Sequence, residues 1–454
     1  MASRYRDAIA PAYLFLCLIV GGSAQGIWQN MVLQLLGVAI IAWAAWPGAL
    51  QKITPPARQL FVIAIVAIAW VAIQMVPLPP SVWTRLGGRN LIVEGYRVLG
   101  VPPPWLPLSV TPYRSLDSLL GLIPQLAIYV AIVSLGSFRP MWLTAALLLG
   151  AIGGVILGAL QVSGSGNIAS SPWYLYPEDS YGLATGFFAN ANHMANLLVC
   201  TLPFLAAMLA SGRERLGQWS TALTVAAGAA AILMIVGVVL SRSLAVGALM
   251  APVLAACAVI LFPRSSTWRT WVAIAALGFL VAIAALATAS VPIGEFGTDA
   301  QSSVESRREM LVTSGRAVRD LFPFGSGLGS FRSVYQLYED PARVNDTYVP
   351  HAHNDYVELA LETGLPGVLL IIAFLAWWGR AALRAWRYED AGAFARAASV
   401  ASGAILLHSV VDFPLRTAAI GALFAMCLSL LAQRPRATAR VRPDWRPARH
   451  VVID

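Results

Sequence analysis

The amino-acid sequence predicts an all-α polytopic membrane protein with about twelve transmembrane helices, and three observations carry that prediction. Hydrophobic residues fill 58% of the 454 positions and charged residues only 12%, a balance that suits a bilayer interior and not a water-facing chain of this size. The apolar residues are gathered into runs of roughly the length a bilayer needs. The basic residues collect in the short links between those runs and in the last segment, as membrane orientation demands. The formal net charge of +9 therefore points to a membrane and not to nucleic acid.

The runs lie near 10–24, 30–46, 59–77, 119–135, 141–160, 192–210, 219–240, 243–262, 270–291, 356–378, 395–411 and 417–432. The first follows Arg4 and Arg6 and has the makings of a signal peptide. A second run begins almost at once at Met31, so an uncleaved first helix is expected. With twelve spans, Arg4, Arg6, Lys52, Arg58, Arg139, Arg213, Arg215, Arg264, Arg269, Arg380, Arg384, Arg387 and the arginines from Arg434 onward all fall on one face. By the positive-inside rule that face is cytoplasmic, and both termini lie on it. The opposite face carries the long loops: proline-rich 78–118, then 161–191 with Glu178 and Asp179, then the longest, 292–355. Loops of that length are uncommon unless they function. The expected division is nine spans in 1–291, a long loop with site residues in 292–355, three spans in 356–433, and a disordered cytoplasmic tail in 434–454. Cys17, Cys200, Cys257 and Cys427 all lie inside apolar runs, so neither a disulfide nor a cysteine metal site is expected.

The stretch with most chemistry runs from His351 to Val368. His351 and His353 stand where the longest loop meets an apolar helix, with Asn354 at its start and Asp355 and Glu358 in its first turns. A histidine at such a boundary can titrate near neutrality and move protons, or simply cap the helix. Ser241-Arg242-Ser243 joins two apolar runs with almost no loop. Arg242 is then either a snorkelling arginine or a fixed cation for a phosphate at headgroup depth. Arg307 and Arg308 open an amphipathic stretch reaching Phe322, with Leu311, Gly315, Val318 and Leu321 at helical spacing, so a helix along the membrane is expected there. The glycine-rich turn Pro323 to Phe331 fits neither a dinucleotide fingerprint nor a Walker loop. Asn190 and Asn192 precede a helix, where they can cap it or bind a sugar. His408 and Asp412 share a helix face. The aspartate can orient a histidine, or pair with Arg416. There is no HExxH, no GxSxG and no Asp-x-Asp in a non-cytoplasmic loop, so neither metal nor cofactor is expected.

Taken together, the segments from about Thr185 to Arg416 resemble the O-antigen ligase and polymerase superfamily of bacterial surface-polysaccharide assembly. The resemblance is carried by GFFANAN, the Ser-Arg junction, RREML, PFGSGLGSF, HAHNDYVELALETGLPG and HSVVDFPLR. His353, Asn354, Gly364 and Gly367 meet the ligase signature. The resemblance implies a GT-C-like fold and metal-independent, inverting glycosyl transfer on the periplasmic face of a bacterial inner membrane. It implies a donor glycan on undecaprenyl diphosphate, with either a second lipid-linked glycan or the lipid A core as acceptor. It assigns Arg242 and Arg307 to the diphosphate, with Arg308 as runner-up, and His353 to the general base. Asp412 is added as the orienter of His353, and Asn190, Asn192, His351 and Asn354 as glycan contacts. The signature usually continues with small polar residues, whereas Gly367 is followed by Val368-Leu369-Leu370. That departure favours a polymerase of O-antigen or exopolysaccharide over a ligase. A lipid-linked glycan flippase is the competing class. It calls for charges near mid-membrane, and the apolar runs are largely free of them.

Overall fold

The computed structural model describes all residues except 1, 25–26, 47–52, 136–137, 164–170, 177–181, 217–219, 263–269, 271–277, 279–295, 344–348, 389–390 and 434–454. The described chain is all-α apart from one small antiparallel ladder, β1 (Pro77–Leu78) against β2 (Leu106–Pro107). The helices in order are α1 (Ala2–Val20), α2 (Trp28–Ala44), α3 (Pro55–Gln74), α4 (Pro80–Trp83), α5 (Asn90–Val98), α6 (Pro112–Gly121), α7 (Ile123–Val133), α8 (Pro140–Val162), α9 (Ala191–Leu216), α10 (Ser220–Leu240) and α11 (Leu244–Leu261). Then come α12 (Phe296–Leu321), α13 (Phe331–Tyr338), α14 (Asp355–Arg387), α15 (Gly392–His408) and α16 (Ala418–Ala432).

Among the described residues, 7 helices are long and apolar enough to cross a membrane, and α2 and α16 are shorter apolar helices. The protein is therefore a polytopic, multi-pass membrane protein. Each apolar run of the sequence is helical over most of its length except the ninth, near 270–291, which lies almost wholly outside the described residues. Glu178, Asp179 and the segment 434–454 also lie outside them.

The helices differ in what they face. In α9, 83% of the apolar stretch is buried, against 17% in α3. The first is the centre of the bundle and the second its lipid-facing rim. α9 packs against α8, α10, α11 and α15. Its contact with α15 is made close by a run of buried small residues, Ala397, Ala398, Ala401 and Ala404, since without a hydrophobic drive inside lipid, close backbone approach is what holds helices together.

The polar connections gather at one end of this bundle. Ala184 N–H reaches Leu240 O at 3.4 Å, Asp355 N–H reaches Ser409 O at 2.9 Å, Ser109 N–H reaches Gln74 O at 2.7 Å and Ala419 N–H reaches Gly21 O at 3.0 Å. These bonds tie the ends of α1, α3, α10 and α15 to the segments that open α16, α6, α9 and α14 respectively. Gln161, at the end of α8, accepts from Thr185 N–H and Gly186 N–H, both at 2.9 Å.

α14 is broken near its start. Gly364 has φ 62° and ψ −155°, a region open in practice only to glycine. A Cβ there would strike the backbone of Pro323, Phe324 and Gly325, and one on Gly325 would strike Glu362 and Gly364. The two glycines let segments 323–327 and 361–365 lie backbone to backbone. Ser326 N–H donates to Leu361 O at 3.0 Å, Gly327 N–H to Glu362 O at 2.8 Å and Leu365 N–H to Pro323 O at 2.8 Å. The break frees carbonyls that the membrane cannot solvate. Trp70 Nε1–H donates to Thr363 O at 2.9 Å and Gln74 Nε2–H to Glu362 O at 3.0 Å. Gly364→Ala is expected to destabilise the fold by about 2 kcal/mol or more, read as a lower melting temperature in detergent; an unchanged melting temperature contradicts this account of the break.

Candidate active site

Of the chain's five histidines, His193, His351, His353 and His408 meet at this end of the bundle, and His450 lies outside the described residues. Their common point is the turn after α15. Asp412 N–H donates to His408 O at 3.0 Å, so the helical spacing persists for one turn and Asp412 lies back over His408. The carboxylate is 1% exposed. It faces His353 Nδ1 at 3.5 Å, His408 Nε2 at 3.6 Å and His193 Nε2 at 3.9 Å. Phe413 N–H donates to its Oδ1 at 2.9 Å. The Phe413 ring meets His351 at 4.3 Å between centroids, His353 at 5.0 Å and His193 at 5.2 Å. Burial alone raises the pKa of Asp412, but the close approach of His353 and the potentials of His193, His408 and His353 outweigh it and hold the carboxyl well below the usual carboxylate range. The group therefore stays ionised at neutral pH. Its contribution to stability is present above the unfolded carboxyl value and lost only as pH falls through the depressed folded value. Among the described residues, no group of three or more His, Cys, Asp or Glu is arranged to hold a metal ion.

A second constellation holds the first in place. Asp355, Glu358 and Glu362 form one stripe on α14, and all three are buried. Arg416 sits against the stripe, 3.5 Å from Asp355 Oδ1, 3.1 Å from Glu358 Oε1 and 3.2 Å from Glu362 Oε2. Burial works against the guanidinium charge, and Glu358, Glu362 and Asp355 outweigh it, so Arg416 is held protonated above its ordinary value. The carboxylates reach outward as well. Glu358 meets His351 Nδ1 at 2.9 Å and accepts from Ala352 N–H at 2.8 Å. Glu362 accepts from Phe331 N–H at 3.1 Å. Arg416, offered by the sequence as a partner for Asp412, thus pairs with the α14 stripe, and Asp412 faces the histidines.

The other residues singled out by the sequence fall into two groups. His353 (φ 48°) and Arg242 (φ 51°) are the non-glycine residues with positive φ among those described. Each is held against a cost of order 1–2 kcal/mol, a strain that clusters at functional sites. Arg242 is exposed in the turn between α10 and α11. It is on the His193 face, because α9 and α11 both start there. Arg307 is half-buried and Arg308 exposed, and the charge of Arg307 acts on His408. The asparagines carry structure. Asn190 Oδ1 accepts from Asn192 N–H at 2.7 Å. Asn354 caps α14, accepting from Tyr356 N–H and Val357 N–H, both at 3.0 Å, while its Nδ2 donates to Val410 O at 2.8 Å.

Sequence reasoning missed His193 and Phe413 as site members, and the role of the α14 stripe. The stripe is readable as spacing in the sequence. The convergence of His193 with Asp412, more than two hundred positions apart, leaves no local signal.

Among the described residues, the buried charge and the strained non-glycine residues gather at one end of a multi-pass helical bundle. Residues 229–372 match the model of the O-antigen ligase family, Wzy_C, so this segment is similar to the O-antigen ligase domain of membrane enzymes of the ligase or polymerase type. The match spans Arg242, Arg307, Arg308, His351, His353, Asn354, Gly364 and Gly367 and leaves Asp412, Arg416 and His193 outside it. No curated protein matches the chain.

Arg416→Met leaves the α14 carboxylates without their cation, and is expected to destabilise the protein by about 3–5 kcal/mol. Melting in detergent measures this, and adding Glu362→Gln to the same variant should recover part of the loss.

Proposed function

We propose that the protein is a metal-independent, inverting glycosyltransferase that moves a glycan from undecaprenyl diphosphate to an acceptor sugar hydroxyl. The observation that carries this reading is the pairing of His353 with the buried carboxylate of Asp412 (3.5 Å), beside an O-antigen ligase match that contains His353 and both arginines. In this reading Asp412 takes the Nδ1 side of the ring, and Nε2 serves as general base. It accepts the proton of the acceptor hydroxyl as that oxygen attacks the anomeric carbon, a role that contributes typically 10²–10⁴-fold. The bond from the anomeric carbon to the diphosphate oxygen breaks in the same displacement, with inversion. Arg242 and Arg307 meet the charge that develops on the leaving diphosphate. Arg307 is preferred to Arg308 because it is the half-buried member of the pair. With Asn190 and Asn354 engaged in caps and His351 held by Glu358, Asn192 is the asparagine assigned first to the glycan.

We place twelve spans in the bacterial inner membrane, divided at 291, 355 and 433 as the sequence suggests, in a GT-C-like arrangement with cytoplasmic termini and a periplasmic site. Membrane lipids surround the bundle. The acceptor favoured is a second lipid-linked glycan, giving a polymerase of O-antigen or exopolysaccharide, because Val368-Leu369-Leu370 continues the signature with apolar residues. The description of the matched family, O-antigen ligase, supports the lipid A core as the second reading. A flippase is disfavoured because the buried charged side chains among the described residues, Arg89, Asp355, Glu358, Glu362 and Asp412, all belong to the site end of the bundle and not to its middle.

The test is transfer by purified protein from a matching undecaprenyl-diphosphate glycan, with chelator present and both acceptors offered. His353→Ala is expected to lower the rate by about 10²-fold or more, and Arg307→Ala to cost more than Arg308→Ala. The acceptor consumed separates polymerase from ligase. Equal transfer by wild type and His353→Ala contradicts the assigned base. Passage of the lipid-linked glycan across liposomes without transfer favours the flippase.

A further inference from the structure

The deep side of Asp412 carries a line of side chains that the reaction above does not use. His408 is 0% exposed and Asn196 2%. His408 Nδ1 lies 2.6 Å from Asn196 Nδ2, and Asn196 Oδ1 accepts from Cys200 Sγ–H at 3.2 Å, one turn further along α9. That second bond turns the amide so that its NH₂ faces the ring. Nδ1 of His408 therefore accepts, and the ring proton sits on Nε2. Nε2 faces Asp412 Oδ2 at 3.6 Å, and Oδ1 of the same carboxylate faces His353 Nδ1 at 3.5 Å. His408 Nε2, His353 Nδ1 and Asp412 Oδ2 have no hydrogen-bond partner closer than this among the described residues. Catalytic hydrogen bonds are often this long in a free enzyme and shorten when substrate binds.

We propose that Asn196 and His408 are positioning residues for glycosyl transfer: they hold Asp412 as a carboxylate turned toward His353. The imidazolium formed when His353 takes the acceptor proton is then met by a fixed opposite charge. The inference rests on His353 being the base.

Packing does not require this line. α9 and α15 otherwise meet through small apolar residues such as Ala397, Ala398 and Ala401, and a buried polar chain in that seam is costly unless each member is used. The groups facing Asp412 from the surrounding elements agree with a fixed anion. His193 Nε2 approaches from α9 at 3.9 Å. His351 lies across Phe413 and is tied to Glu358. Arg307 on α12 adds positive potential at His408, and Arg416 is occupied by Asp355, Glu358 and Glu362.

The experiment compares His408→Leu, His408→Gln and Asn196→Ala with wild type and His353→Ala, following glycan transfer from the undecaprenyl-diphosphate donor across pH. His408→Leu is expected to lower kcat about tenfold or more and to leave KM for the donor within about threefold. Its acid limb should move to higher pH, because a carboxylate that loses a donor draws a proton more strongly onto the base imidazole it faces. Glutamine can donate to Asp412 and accept from Asn196 together, so His408→Gln should keep most of the rate and the wild-type limb. Asn196→Ala should move the limb the same way by less. Melting temperature and elution as a single species establish that each variant is folded. If His408→Leu does not fold, the glutamine and Asn196→Ala profiles decide. A wild-type kcat and pH profile in folded His408→Leu, or in folded Asn196→Ala when it stands alone, overturns the proposal. So does a glutamine variant as impaired as the leucine one. If His353→Ala itself retains transfer, the base assignment has failed, and the positioning line falls with it.

Discussion

The site depends on one guanidinium. Arg416 lies within 3.5 Å of carboxylates on Asp355, Glu358 and Glu362, and each of those carboxylates is buried at the first turns of α14. Without a cation the stripe could not be buried, since an unpaired carboxylate out of water costs several kcal/mol. With it, α14 begins at a fixed place. Through Glu358 the loop holding His351 and Ala352 is fixed, and through Glu362 the glycine turn ending at Phe331. Arg416 is itself only four residues from Asp412, so the same pairing sets where the aspartate meets His353.

The membrane explains why so much polar structure is concentrated in one place. Within lipid every backbone group needs a partner, and small residues bring α9 and α15 close without polar help. A chemical site can then be built only where helices end. Here the ends of α8, α10 and α15 meet the starts of α9, α11 and α14, and backbone irregularity is permitted because it is paid for locally by Trp70, Gln74 and Gln161. The strained conformations of Arg242 and His353 sit in the same layer. Strain of that kind survives only when the surroundings over-determine it.

Much of this was legible in the sequence, and the exceptions have physical causes. The apolar runs located the helices because length and polarity are local properties. The ninth run and the last segment lie outside the described residues. The His351 and His353 pair marked the site because histidine is scarce in this chain and the pair falls at a helix start. Asp412 could be read as an orienter of histidine or as a partner of Arg416, and spacing alone could not choose. The choice is made by α14, whose stripe already occupies Arg416. Arg307 and Arg308 could not be separated by sequence either: adjacent residues differ by about 100° around a helix, and packing alone decides which is half-buried. His193 and Asn196 were invisible as site members because their partners, Asp412 and His408, lie more than two hundred positions away along the chain.

In the proposed reaction the histidines around Asp412 and the arginines Arg242 and Arg307 serve one lipid-linked diphosphate. The most direct measurement is a cryo-EM structure of the protein in a lipid nanodisc with undecaprenyl diphosphate bound. The expected result is the diphosphate at the membrane face against Arg242 and Arg307, with His353 at the edge of the space beyond its terminal phosphate and Asp412 still behind the ring. A diphosphate held elsewhere, away from both arginines and from His353, would contradict it.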